Sequence, residues 1–319
     1  MSRRLAAALS AGARVAIVSP ASPFAREEFD AGVRELERLG FVPVFDDSVF
    51  AHEAGYLSGS AELRAQAFQR HWTDPAVAAL IAVRGGFGSA HIVPLLDQAA
   101  IVATPKLFIG YSDNTTLLSW LTCQCGLPAL HGPMLEGRLA NGPAGYDESS
   151  FVALLQGGRG LVLSPDGLTV LRAGEAAGPL LGGTITQLTA TLGTPYAFEP
   201  PDGCILFLED VDERPYRIDR MLTQLAHSGI LSRASGILFG EMRGCDEPAR
   251  PDAAARPTRE PPTARAVITR LLHEFHGPVI FGFPSGHTAG PCWTLPLGVR
   301  VRLATHPHPS LIVEESPVA

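Results

Sequence analysis

The sequence predicts an α/β protein: an N-terminal parallel-sheet α/β domain followed by a second, smaller β-rich C-terminal domain. Three observations carry this expectation. The first half alternates short apolar, β-branched runs with amphipathic helical stretches, the pattern of a parallel sheet covered by helices. Glycine and proline gather at 141–145 and 156–160, where a boundary belongs. Beyond it the chain opens with short glycine-punctuated segments at 167–170 and 178–184. A length of 319 residues suits two domains of about 150 residues each. We place the break between 140 and 175, giving domains at 1–150 and 170–319.

The elements follow in order. Residues 15–18 form a first buried strand closed by Ser19-Pro20. A helix over 26–39 puts Phe29, Val33 and Leu36 on one face and stops at Gly40. Residues 41–45 form a strand and 61–69 a helix. The apolar runs 77–83 and 107–111 are two more strands, and 114–125 is a helix with Leu117, Leu118 and Leu121 inward. In the second half, 204–208, 236–239 and 279–283 read as strands. A helix at 215–227 starts on Pro215, lines up Ile218, Met221, Leu222 and Leu225, and ends before Gly229. Residues 245–262 hold many prolines and scattered charges, as a surface excursion would.

Composition excludes several classes. Hydrophobic residues make up 46% of the chain, enough for real cores, yet no apolar run is long enough for a membrane span. A net charge of −7 argues against nucleic acid as a partner. The five cysteines are odd in number and scattered, which fits reduced thiols rather than a disulfide framework. Cys123 and Cys125 point about 200° apart on a helix, so one metal could not take both, and no metal site is expected. Arg3 and Arg4 before a short Ala-rich run only faintly mimic a signal peptide, so the expected location is the cytoplasm.

Four segments could carry chemistry. Gly110-Tyr111-Ser112-Asp113 sits between a strand and a helix, where a serine hydroxyl is exposed and the next N–H can meet an oxyanion. The commoner use of such residues is to cap the helix, and G-x-S-x-G is absent because position 114 is Asn. Arg84-Gly85-Gly86-Phe87-Gly88-Ser89 follows a strand and lets backbone approach an anion. It could equally be a plain turn, and it lacks the dinucleotide fingerprint. Glu209 ends an apolar strand, where a carboxylate can orient a histidine, although acidic runs before a helix are usually solvated. His287 lies in the turn Pro284-Ser285-Gly286-His287-Thr288, one of ten histidines in the chain. Ser112, Glu209 and His287 follow a chain order known from serine hydrolases, but order alone does not identify a triad.

Arg84-Gly85-Gly86-Phe87-Gly88, Phe108-Ile109-Gly110-Tyr111-Ser112-Asp113, His131-Gly132-Pro133-Met134, Leu208-Glu209-Asp210-Val211, Tyr216-Arg217-Ile218-Asp219-Arg220-Met221-Leu222, Gly286-His287 and Thr294-Leu295-Pro296-Leu297-Gly298 together resemble the LD-carboxypeptidase family of serine peptidases. That group also includes the microcin C self-immunity peptidases. The resemblance runs over about 15–301. It implies a catalytic triad of Ser112, Glu209 and His287, and an oxyanion hole made by the N–H groups of Gly86 and Asp113. It implies a site between the two domains, a homodimer, and no metal or cofactor. The implied substrate is a small peptide or muropeptide, with release of terminal D-Ala from murein tetrapeptide during cytoplasmic peptidoglycan recycling. The alternative is hydrolysis of peptidyl- or aminoacyl-nucleotide conjugates, which calls for a base-stacking aromatic; Trp120 falls on a helix and Trp293 near the C-terminal turn. A carboxypeptidase needs a cation for the free carboxylate, and Arg84 is the candidate. The sequence departs from the family at Thr184, where Gly-Gly-Asn is usual, at Leu181, where an aromatic is often found, and in the Pro-rich 245–262 segment. A non-catalytic binding module on the same fold is the competing class, and an intact triad argues against it.

Overall fold

The structure is a computed structural model that describes residues 5–248 and 262–319. Arg3, Arg4 and the 249–261 part of the Pro-rich stretch lie outside the described residues.

Fourteen strands occur among the described residues. In chain order they are β1 Arg14–Val18, β2 Val42–Val44, β3 Ala79–Ala82, β4 Leu107–Gly110, β5 Ala129–His131, β6 Val162–Leu163 and β7 Thr169–Arg172. There follow β8 Glu175–Thr184, β9 Cys204–Glu209, β10 Ala234–Gly240, β11 Val279–Phe283, β12 Leu295–Leu297, β13 Arg300–Ala304 and β14 Ser310–Val313. They form two sheets. The first has the order β12-β5-β4-β3-β1-β2 and is parallel except for β12, which pairs antiparallel with β5. The second has the order β6-β14-β13-β8-β9-β10-β11-β7, with a parallel centre of β8, β9, β10 and β11 and antiparallel flanks.

The first sheet is doubly wound, and its order reverses between β1 and β3. Ligands in such sheets bind beyond the carboxyl ends of the strands near that reversal. The glycine segment 84–88 follows β3 there, and Ser112 follows β4. The helices predicted from periodicity are present, with small shifts. Arg26–Arg38 buries Phe29 and Leu36, and Ala61–Thr73 begins under a Ser60 side-chain cap. Pro215–His227 buries the four predicted apolar positions and is followed by Gly229 at φ 79°. The predicted helix at 114–125 is broken into three pieces: a 3₁₀ turn, an α segment Thr115–Ser119 and a π turn Trp120–Gln124. Cys125, Cys204, Cys245 and Cys292 are buried and Cys123 is half-buried, all as free thiols.

Side-chain alternation along β9 decides how the two sheets meet. Ile205 and Phe207 join the large core shared with the first sheet, whereas Cys204, Leu206 and Leu208 pack into a second core under the helix Pro215–His227. By the same parity Glu209 continues the face of Phe207, toward the first sheet. Asp210 turns the other way, where Thr186 N and Oγ1 donate to it. Two elements tie the halves together. The strand β12 completes the first sheet from the far end of the sequence. The strand β8 abuts the start of the helix that follows Ser112, with Thr184 N donating to Thr115 Oγ1 at 3.1 Å.

That approach depends on Gly183, and the seating of β8 against its sheet neighbour β9 depends on Gly182. A Cβ on Gly182 (φ 132°) would sit 1.9 Å from the Phe207 carbonyl oxygen, and one on Gly183 (φ 142°) 2.6 Å from Thr115 Oγ1. Gly182→Ala should therefore cost roughly 2–4 kcal/mol, as severe backbone conflicts do. Gly193→Ala, at φ 82° with nothing within 4 Å, should cost only about 1 kcal/mol. Urea denaturation of the two variants checks the contrast; equal losses would contradict it.

Candidate active site

The turn after β4 is strained. Tyr111 is fully extended, and Ser112 then enters the left-handed region at φ 63°. A non-glycine residue is held there only when its surroundings over-determine it. Asn114 supplies part of that constraint, its Nδ2 donating to Arg84 O at 3.1 Å and Tyr111 O at 3.3 Å. The capping alternative is not what the chain does: no side chain caps this helix start. Asp113 is buried and faces sideways, accepting from Ser89 N at 2.8 Å, while Ser89 Oγ donates to Asp113 O at 2.6 Å.

The glycine segment lies against this turn. A Cβ on Gly85 would be 2.7 Å from Ser112 Cβ and 3.2 Å from Asp113 N. Gly86 has φ 98°, and a Cβ there would strike Ser22 Oγ at 2.2 Å. The buried Arg64 fixes the far end, donating to Gly59 O at 3.0 Å, to Gly88 O at 2.7 Å and to Pro20 O. Arg84 is engaged: its Nε pairs with Glu136 at 3.0 Å, and its Nη1 donates to Pro23 O at 3.1 Å.

The second sheet brings the carboxylate and the imidazole. Glu209, 1% exposed at the end of β9, accepts from His287 Nδ1 at 2.8 Å and from His287 N at 3.2 Å on Oε2. Its Oε1 accepts from Thr184 Oγ1. Burial pushes this carboxyl up, but His287, His131 and Thr184 outweigh it and hold the group at about 2. Burial pushes the His287 imidazole down; the Glu209 charge and hydrogen bond, with Asp210 behind, outweigh that and raise it above its ordinary value. The Tyr111 ring meets the His287 ring edge-on, with centroids 5.1 Å apart. No direct hydrogen bond joins Ser112 Oγ to that ring in this arrangement, and unliganded sites are often looser than the reacting complex.

Sequence reasoning missed the residues that hold this constellation. Arg138 reaches across from the first half. Its Nη2 donates to Gly286 O at 2.8 Å and Thr288 O at 3.1 Å, its Nη1 to Gly290 O at 3.1 Å, and its Nε to the Tyr111 hydroxyl at 3.4 Å. It is the clasp of the His287 loop, and its position in an irregular segment carries no periodic signal. Thr184 was visible as a departure at a glycine pair, without a role. His131 opens the His131-Gly132-Pro133-Met134 segment, where nothing local signals a role.

Two sheets with parallel centres, a buried carboxylate–imidazole pair on one and a strained serine turn on the other, give the chain the fold and side-chain set of an α/β hydrolase. The LD-carboxypeptidase N-terminal domain model matches residues 15–132 and the C-terminal domain model residues 177–303, and the chain belongs to the LD-carboxypeptidase family. The murein tetrapeptide carboxypeptidase of Pseudomonas aeruginosa is 32% identical over 286 residues, covering 86% of this chain and 92% of that protein. The microcin C7 self-immunity protein MccF of Escherichia coli is 30% identical over 330 residues, covering 94% and 92%. The solved structure of MccF in complex with aspartyl sulfamoyl adenosine superposes with a TM-score of 0.86 at 27% identity, over 99% of this chain and 100% of that one.

The pair fixes two opposite pH dependences. The Glu209 carboxyl, near 4.5 when unperturbed and about 2 when folded, stabilises the fold above 4.5 and loses that contribution as pH falls toward 2. His287, raised from 6.5, stabilises below 6.5 and loses its contribution as pH rises through the folded value. The stability lost on Glu209→Gln should therefore be largest between pH 4.5 and 6.5, as measured by urea unfolding across pH. In the same variant the His287 titration followed by NMR should move to lower pH, and an unmoved midpoint contradicts the pairing.

Proposed function

We propose that the protein is a serine carboxypeptidase that hydrolyses an L,D-peptide bond, releasing terminal D-Ala from murein tetrapeptide through a triad of Ser112, Glu209 and His287. One observation carries the reading: the His287 ring, bonded to Glu209 at 2.8 Å, packs edge-on against Tyr111, the residue that precedes Ser112 at φ 63°. His287 Nε2 takes the proton as Ser112 Oγ attacks the carbonyl carbon. Glu209 holds the ring with its proton on Nδ1 and stabilises the imidazolium. The N–H groups of Gly86 and Asp113 meet the oxyanion, each such donor contributing about 3–4 kcal/mol in known sites. His287 then protonates the leaving amine, D-Ala departs, and water attacks the acyl-serine with His287 again as base.

Arg84 takes the substrate carboxylate on this reading, sharing its guanidinium with Glu136; its side chain is 39% exposed. The halves 1–150 and 170–319 act as the two domains, and the enzyme works as a cytoplasmic homodimer in peptidoglycan recycling. Names of relatives support the substrate class, since one is a murein tetrapeptide carboxypeptidase. A second reading, hydrolysis of peptidyl- or aminoacyl-nucleotide conjugates, draws support from the fold shared with MccF bound to aspartyl sulfamoyl adenosine. Against it, Trp120 is buried, Trp293 is half-buried with its ring packed edge-on to Phe283, and Leu181 is buried beside the glycine pair.

Ser112→Ala should lower turnover by roughly six orders of magnitude with the fold intact. Mass spectrometry of products from L,D-tetrapeptide and from nucleotide conjugates ranks the two readings, and much faster conjugate cleavage overturns the first. Arg84→Ala should raise KM for the free-carboxylate peptide and leave an amidated analogue unaffected; equal effects on both remove Arg84 from the carboxylate site.

A further inference from the structure

The triad reading uses one imidazole on Glu209, but two face it. His131 ends β5 with no exposed surface. Its Nε2 lies 4.0 Å from Glu209 Oε1, and its Nδ1 lies 2.9 Å from Ser285 Oγ. Its ring packs edge-on against Phe207 at 4.9 Å, the β9 residue on the same face as Glu209. Ser285 is itself buried and stands two residues before His287. Four side chains on three strand ends thus run Ser285, His131, Glu209, His287.

The tautomer follows from what surrounds each nitrogen. Nε2 is buried with no hydrogen-bond partner. A lone pair there would face a buried carboxylate oxygen, and like-signed partial charges repel strongly where water is excluded. An N–H there points its positive end at Oε1, a contact longer than a hydrogen bond but attractive. Nδ1 is then the acceptor, and the Ser285 hydroxyl donates to it. Ser285 Oγ is also 3.5 Å from the His131 carbonyl, a poorer partner than the ring nitrogen.

We propose that His131 is a positioning residue for the catalytic carboxylate: a neutral imidazole, locked by Ser285 with its proton on Nε2, that holds Glu209 Oε1 while His287 takes Oε2. The inference rests on the triad reading and deepens it. Burial drives the His131 imidazole down to about 4, so it stays neutral through the working range and does not compete with His287 for the proton. The charged and titratable groups around the two rings are Glu209, Asp210, Tyr111, Arg138 and Cys292, which act on His287, Tyr111 or Glu209. Of these, Glu209 is the one anion that both imidazoles share.

His131→Phe keeps the volume and removes the donor. It leaves the carboxylate a stronger base, so the His287 midpoint read by NMR on imidazole-labelled protein should move upward, and the acid limb of kcat/KM should move with it. Turnover should fall roughly tenfold, the effect of one modest polar contact, with KM unchanged. His131→Gln, which restores an N–H at the same reach, should bring the midpoint back. Ser285→Ala frees the tautomer and should shift the midpoint in the same direction by less, so it decides the matter if the Phe variant fails to fold. An unmoved midpoint in His131→Phe, or in Ser285→Ala where that variant alone is folded, overturns the proposal. Ser112→Ala separates the two levels. If it keeps activity, the triad reading fails; if it is inactive while the midpoints stay put, only the role of His131 fails.

Discussion

A carboxylate buried at the junction of two sheets governs this structure. An ionised group without water is costly unless it is paired and fully hydrogen-bonded. Glu209 meets that condition with the His287 ring, the His287 amide and the Thr184 hydroxyl, and with His131 at longer range. The three partner residues come from three different strand ends. The carboxylate therefore forces β5, β8, β9 and the loop after β11 to meet at one point.

The rest of the site is a set of backbone constraints around that point. Arg64 and Asn114 fix the glycine segment and the serine turn by binding carbonyls, and Arg138 does the same for the loop that bears His287. A planar guanidinium with several donors can hold a loop in one shape, whereas a lysine would hold one point of it. Glycine serves the opposite need, removing side chains where backbones press closest: Gly85 against the serine turn, Gly182 against β9, and Gly183 against Thr115 across the two halves.

Much of this was legible in the sequence. The apolar runs became β1, β3, β4, β9 and β11, because strands buried on both faces need no alternation to be seen. The strands β5, β12, β13 and β14 went unread, being short and set in segments whose burial comes from partners far along the chain. Glu209 was legible through its place at the end of an apolar strand, and Ser112 through a strand-to-helix turn. Local preference alone favoured a cap at 112–113, and the structure shows why it loses: the turn is held by Asn114 and Ser89 instead. Arg138 and His131 could not be read, since their contacts exist only across the two sheets.

The strand β12 has a further consequence for how the molecule is made. Emerging from a ribosome, the half that carries the serine turn appears first but lacks its closing edge, because Leu295–Leu297 is synthesised long after β5. Until then β5 presents bare backbone groups, the kind of edge that recruits foreign strands. Completion of the first sheet must wait until Leu295–Leu297 is made, and a fragment of residues 1–150 alone would be aggregation-prone.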